Sequence, residues 1–311
     1  MSTAAEGIDF DGRVVVITGA GGGIGRAHAE LMAQRGASVV VNDVGRDVHG
    51  EGPVGSAAEA VVEAIRSAGG KAVASADSIA TAEGGAALIA TALDAYGRVD
   101  AVVHNAGILR DRSLAKLSDD DVESVLAVHL GGAFNVLRPA YPVMREQGYG
   151  RVVLTSSASG LFGNFGQANY GAAKTGLIGL MNVLAIEGAR HGILANAISP
   201  TALTRMTEGL LEEGSEHFVP EHVAPVVAYL ASERCSLTHH IFAVGGGRVG
   251  RIFIGVTPGL YFGKEPTTPE EVERRLPDLL SLDGFIVPRS GEDEVELIMN
   301  AVLGGDSADP S

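Results

Sequence analysis

RVVVITGAGGGIGRAHAELMAQRGASVVVND (13–43) spells out a strand, a glycine-rich turn, a helix and a second strand. Val14 to Ile17 are consecutive β-branched residues with no polar alternation, so the strand over 13–18 is buried on both faces. Gly19, Gly23 and Gly25 follow with the spacing G-x-x-x-G-x-G, directly before a helix predicted over 23–35. Glycines there let the backbone approach a pyrophosphate while a helix N-terminus points at it. A glycine-rich loop is a weak signal alone, and its place between strand and helix is the confirming context. Asp43 closes the next strand, predicted over 37–43. A carboxylate there accepts hydrogen bonds from a ribose diol and repels a 2′-phosphate, which favours NAD over NADP. Arg46 nearby is the residue that argues the other way.

The alternation continues along the chain. Strands are expected at 71–75, 99–104, 150–157, 192–199 and 241–247, with helices near 56–68, 83–96, 119–147, 168–190 and 220–232. Apolar strands alternating with helices mean an α/β fold: a doubly wound parallel sheet of about seven strands, with helices on both faces. A β/α barrel shares that pattern, and the dinucleotide turn decides against it. Pro139 and Pro142 should bend or interrupt the long helix. The NAD-binding domain is placed at 1–250 and a helical extension at 251–311, with a disordered tail from about 304. In the extension Thr268, Pro269 and Glu271 read as a capping box, and Leu276, Leu279 and Leu280 as one apolar face that should pack on the core or on another subunit.

Glycine makes up 43 of the 311 residues without any period, which excludes a collagen-like repeat and fits tight turns and close packing. A single cysteine, Cys235, excludes an internal disulfide and reads as a small core residue. A formal charge of −15 argues against nucleic acid as a partner. The start, MSTAAEGIDFDGR, lacks the features of a secretory signal, and no apolar run is long enough for a membrane span. A cytoplasmic protein without a metal is expected.

A second stretch, SASGLFGNFGQANYGAAK (157–174), carries the chemistry. Tyr170 and Lys174 are four apart and share one helix face. A neighbouring ammonium favours the phenolate and lowers the phenol's pKa. Ser157 ends the preceding strand at the carboxyl edge shared with the glycine loop, where it can hold a substrate carbonyl or hydroxyl. Together the three can move a proton while NAD takes a hydride. HNAG (104–107) ends the fourth strand at the same edge, where Asn105 can bond backbone or adenosine.

TGAGGGIG (18–25), HNAG, Ser157 and YGAAK (170–174), in this order, resemble the short-chain dehydrogenases/reductases over about residues 11–247. The resemblance implies Tyr170 as general acid/base, Lys174 as the group that lowers its pKa and holds the nicotinamide ribose, and Ser157 as the substrate-orienting hydroxyl. It implies cofactor contacts at Gly19, Gly23, Ile24, Gly25, Asp43, Asp77, Ser78, Asn105, Ala106, Gly107, Tyr170, Lys174, Pro200, Thr201, Ala202 and Thr204. The family usually places an asparagine in the long preceding helix. VHLGGAF (128–134) has His129 there, a candidate catalytic residue if a relay water sits on its main-chain carbonyl.

VVVNDVGRDVHGEG, HNAGILRDRS, SASGLFGNFGQANY and FAVGGGRVG are similar, more narrowly, to the (3R)-hydroxyacyl-CoA dehydrogenase units of type 2 peroxisomal multifunctional enzymes. That likeness implies an NAD-dependent 3-hydroxyacyl-CoA dehydrogenase, with acyl groups up to a steroid side chain in range. No hydratase or sterol-carrier segment follows, so the dehydrogenase alone is expected. The alternatives are a hydroxysteroid dehydrogenase or 3-oxoacyl reductase of the same fold, or an NAD sensor without turnover. Phe162 and Phe165 are candidate walls of an acyl pocket, and Arg110, Arg112 and Arg205 candidate partners for CoA phosphates. Small residues on the helices at 119–147 and 168–190 suit close packing between copies, and the family resemblance implies a homodimer or homotetramer through these two helices.

Overall fold

The computed structural model describes residues 7–45, 47–51, 56–203 and 215–305. Eight strands form one sheet in the order β3-β2-β1-β4-β5-β6-β7-β8. They are β1 (Val14–Thr18), β2 (Ser38–Asn42), β3 (Lys71–Ser75), β4 (Ala101–His104), β5 (Gly150–Thr155), β6 (Ile193–Pro200), β7 (Ile241–Gly245) and β8 (Arg248–Ile252). The pairings from β3 through β7 are all parallel. The order reverses between β1 and β4, so their carboxyl ends open on a crevice, as doubly wound sheets do at such a point. β8 was not foreseen. Gly246 and Gly247, with φ of 55° and 77°, make the two-residue turn that leads into it.

The helices are α1 (Gly23–Gln34), α2 (Ala57–Ser67), α3 (Ala82–Tyr96), α4 (Asp119–Leu126), α5 (Gly132–Gln147), α6 (Ala158–Phe162), α7 (Ala168–Gly188), α8 (Ala224–Ala231), α9 (Pro269–Arg274), α10 (Leu276–Leu279) and α11 (Gly291–Gly305). The two faces of the sheet are both covered. Val15, Ile17, Val39, Val41 and Val103 pack in one cluster with residues of α1, α2 and α8, and Cys235 lies buried among them. The alternate residues Val16, Val40, Val102 and Val152 are equally buried, and α3, α5 and α7 lie against the strands as well. Burying one such aliphatic side chain is worth roughly 1.5–3 kcal/mol, so the uninterrupted apolar strands drive the layering.

Several expectations need correction. The helix at 119–147 does not break at its prolines: α5 runs through Pro139 and Pro142, and the irregularity is a π turn at Ala127–Gly131. Pro139 has no N–H for the Asn135 carbonyl, and that part of the backbone lies against Gly85 of α3, where a Cβ would come within 2.4 Å of the Asn135 oxygen. The segment after β5 holds α6, a short helix that the Ser157 hydroxyl caps by accepting the Ser159 N–H at 3.2 Å.

The described residues fall into two compact units on either side of the Arg251–Ile252 bond. In the second unit Thr268 caps α9 by accepting the Glu271 N–H at 3.2 Å, but Glu271 turns to Arg274 instead of reaching back, so only half of the capping box forms. The helix stops at Arg275, and Leu276 and Leu280 are exposed. Phe253 stacks on Phe285 at 5.4 Å within this unit, and Val256 and Ile286 exchange two backbone hydrogen bonds. The predicted disordered tail falls partly outside the described residues. Among the described residues no helix is long and apolar enough to cross a membrane.

His28 of α1 is fully buried, and neither ring nitrogen has a partner among the described residues. Burial pushes its pKa down to about 3, while the unfolded ring titrates near its ordinary value of about 6.5. The unfolded chain therefore binds the extra proton first, and stability is lost as pH falls from about 6.5 toward 3, by about 2 kcal/mol at pH 5. His28→Leu is expected to flatten the fall in Tm between pH 7 and pH 5, measured by thermal unfolding of both chains.

Candidate active site

The turn between β1 and α1 is crowded against the end of β4. A Cβ on Gly19 would sit 2.6 Å from the Ala106 Cα, and Gly19 has φ of 65°. A Cβ on Gly25 would sit 2.2 Å from the Gly19 carbonyl oxygen, which accepts the Asn105 side-chain N–H at 3.1 Å. Gly25 thus serves packing, while Gly19, Gly22, Gly23 and Ile24 line the cleft. Among the described residues no side chain caps α1, and no acidic residue lies in its first turn, so its positive dipole end is left to that space. This uncapped terminus behind a glycine turn fits the pyrophosphate of a dinucleotide.

The cleft measures about 590 Å³. Asn42, Asp43, Asp77, Ser78, Asn105, Ala106, Gly107, Pro200 and Ala202 line it. Asp43 also braces the turn: its two carboxylate oxygens accept the N–H groups of Gly21 at 2.9 Å and Gly45 at 2.7 Å. Thr201 is exposed and is not part of the lining; its N–H pairs with the Val244 carbonyl. Thr204, Arg46 and Arg205 lie outside the described residues.

Ser157, Tyr170 and Lys174 open on the same cleft. Lys174 is buried and donates from Nζ to the Thr155 carbonyl at 2.6 Å, while Ser156 Oγ donates to the Lys174 carbonyl at 2.9 Å. These two bonds fix α7 to the end of β5. The small residues of the stretch pack helices together: a Cβ on Gly160 of α6 would lie 2.7 Å from the Lys174 Cβ, and one on Gly176 would lie 2.9 Å from Leu130.

The electrostatics differ from the expectation. Burial, the largest influence, raises the Tyr170 pKa; the Ser157 hydroxyl beside it opposes this and the Asp111 charge adds to it. Burial lowers Lys174 to about 7. The ammonium nitrogen lies 5.5 Å from the phenol ring centroid. Desolvation of both groups therefore outweighs their attraction at this separation.

His129 sits in the π turn, fully buried and edge-on to Tyr170 with ring centroids 5.1 Å apart. Its Nε2 lies 3.0 Å from the Ile108 nitrogen and 2.9 Å from the Ile108 oxygen. The main-chain carbonyl expected to hold a water accepts the Nε2–H of His104 at 2.8 Å.

Other residues join the site without having been foreseen. Asn169 donates to the carbonyls of Arg110 at 3.1 Å and Asp121 at 2.8 Å and accepts the Tyr170 N–H at 2.8 Å. The only signal was a polar residue beside the tyrosine. Gln167 and Asn164 line the cleft, and Gln167 donates to Asp111 at 2.6 Å. The segment 47–50 forms another wall, tied down by the Leu109 N–H to the Val48 carbonyl at 2.8 Å. Phe162 and Phe165 are 73% and 90% exposed and stand outside the cleft lining, so they do not wall a pocket within it. Arg110 is ion-paired with Glu51 at 3.0 Å and Arg112 with Asp121 at 3.2 Å.

A doubly wound sheet with a glycine turn and a Ser-Tyr-Lys set on one cleft defines a nicotinamide-dependent oxidoreductase acting on a hydroxyl group. The chain belongs to the short chain dehydrogenase family, whose profile matches residues 13–214. It is 52% identical over 273 residues to a short-chain type dehydrogenase/reductase of Mycobacterium tuberculosis, covering 88% of this chain and 95% of that one. It is also 52% identical over 271 residues to peroxisomal multifunctional enzyme type 2 of Mus musculus, covering 86% of this chain but 36% of the mouse protein. The structure of the full-length Drosophila melanogaster multifunctional enzyme type 2 aligns with a TM-score of 0.81 and 38% identity, over 96% of this chain and 50% of that one. The chain thus spans half or less of these multifunctional relatives.

Gly25→Ala is expected to force the turn away from Asn105. The affinity for NADH, read by fluorescence titration, should fall at least about tenfold, a cost of about 1.4 kcal/mol, with the circular dichroism spectrum retained.

Proposed function

We propose that the protein oxidises 3-hydroxyacyl-CoA thioesters with NAD as hydride acceptor. The observation that carries this reading is the convergence of Ser157, Tyr170 and Lys174 on the cleft lined by the glycine turn. The acyl-CoA substrate is supported by the similarity to the multifunctional enzymes. NAD rather than NADP is supported by Asp43, a carboxylate held at the cleft by two backbone donors.

Bound NAD supplies the site that accepts the hydride. Ser157 holds the substrate hydroxyl, and Tyr170 takes its proton. Lys174, held to the Thr155 carbonyl, places a donor at the foot of the cleft for the nicotinamide ribose and for the phenolate once formed. His129 supports the Tyr170 ring edge-on. The single buried cysteine and the acidic charge fit a cytoplasmic protein. Association as a homodimer or homotetramer is supported by α5 and α7, whose Phe134, Val183 and Ile186 are exposed.

The test is NADH formation with short, long and steroid-side-chain (3R)-hydroxyacyl-CoA and with a free hydroxysteroid, each with NAD and with NADP. Turnover of thioesters with NAD is expected; turnover of the free steroid alone sinks the acyl-CoA reading. Tyr170→Phe should lose roughly 10²–10⁴-fold in kcat while NADH still binds. Because burial holds the phenol protonated at neutral pH, deprotonation is the uphill part of oxidation, and kcat/KM for oxidation should rise with pH above neutrality.

A further inference from the structure

We propose that His104 is a positioning residue for Tyr170: its imidazole bridges the end of β1 to the π turn and so holds the His129 ring against the phenol. The inference rests on the acid/base role proposed for Tyr170 and not on the acyl-CoA substrate.

Thr18 and His104 are register partners at the carboxyl ends of β1 and β4. Thr18 Oγ1 accepts two backbone N–H groups, from Asn105 at 3.0 Å and Ala106 at 3.1 Å. Both of its lone pairs are then used, so its own proton is directed to His104 Nδ1, 3.3 Å away. An accepting Nδ1 puts the ring proton on Nε2, which donates to the His129 carbonyl at 2.8 Å. That carbonyl lies inside the π turn Ala127–Gly131, where the ordinary helical ladder is interrupted. The ring stays neutral at assay pH, since burial and the nearby Lys174 charge lower its pKa to about 4. It therefore holds geometry and does not itself relay a proton by becoming charged.

The His129 ring leaves little room for slack. A Cβ on Gly107 would come within 2.2 Å of its Cε1, Ile108 meets its Nε2, and Tyr170 meets its edge. Thr18, His104, His129 and Tyr170 are all buried. Displacing the His129 carbonyl thus moves a ring that is wedged between the β4 loop and the phenol. Misplacing a reacting group by about 1 Å can cost about 100-fold in rate.

Two variants separate this role from a general one at the strand end. In His104→Gln the amide nitrogen reaches the place of Nε2 and retains the His129 carbonyl. In His104→Asn the shorter amide lies near Nδ1 and retains Thr18. The Gln variant should keep kcat within about threefold, and the Asn variant should lose at least about tenfold in kcat, with KM and NADH affinity unchanged in both. Equal kcat in the two variants, or an Asn variant that outperforms Gln, overturns the proposal. Nitrogen-15 NMR of the unaltered protein needs no mutation and covers the case of misfolded variants. Its His104 ring should be the neutral Nε2–H tautomer between about pH 5 and pH 8; an Nδ1–H tautomer overturns it. Full activity in Tyr170→Phe would instead remove the acid/base reading on which the proposal stands, and the two failures are read from different proteins.

Discussion

The contact between the β1–α1 turn and the end of β4 sets what the rest of the molecule can do. Gly19 and Gly25 lack side chains where the Ala106 backbone and the Gly19 carbonyl leave no space for them. Asn105 closes the contact by donating to the Gly19 carbonyl. This packing brings the bare N-terminus of α1 to the crevice between β1 and β4 and leaves its N–H groups to face the cleft. Asp43 then braces the turn from the β2 side with both carboxylate oxygens. A cleft that fits a dinucleotide follows from backbone crowding more than from any single side chain.

The Ser157, Tyr170 and Lys174 set is the electrostatic counterpart of that crowding. Tyr170 and Lys174 are buried for the sake of a dry cleft, and burial works against the charged form of each. The phenol is pushed up and the ammonium down to about 7. The protein compensates with fixed partners: the Thr155 carbonyl for Lys174, the Ser157 hydroxyl beside Tyr170, and Asn169 for the Tyr170 backbone.

Two layers of support stand behind these groups. One is packing by small residues: Gly160 and Gly176 let α6 and the π turn close on α7. The other is the polar chain from Thr18 through His104 to the His129 carbonyl. The second layer was harder to read than the first. Glycine costs helix stability, so Gly160 and Gly176 inside helices point to close approach, whereas a histidine at the end of an apolar strand, AVVH (101–104), shows its partners only once the strands are laid side by side.

The sequence by itself determined strands β1 to β7, the glycine turn and the Ser157-Tyr170-Lys174 spacing, because each depends on local period and fixed spacing. Strand burial follows from unbroken β-branched runs, and an i, i+4 pair shares a face in any helix. Tertiary structure decided the remainder. The π turn at Ala127–Gly131 replaced the expected break at Pro139 and Pro142, since where a helix deviates depends on what packs against it. Phe162 and Phe165 moved out of the pocket and Gln167, Asn164 and the segment 47–50 moved in. The sign of the Tyr170 shift was likewise invisible in the i, i+4 spacing, because desolvation depends on every element that closes over the ring, and only the assembled fold brings those elements together.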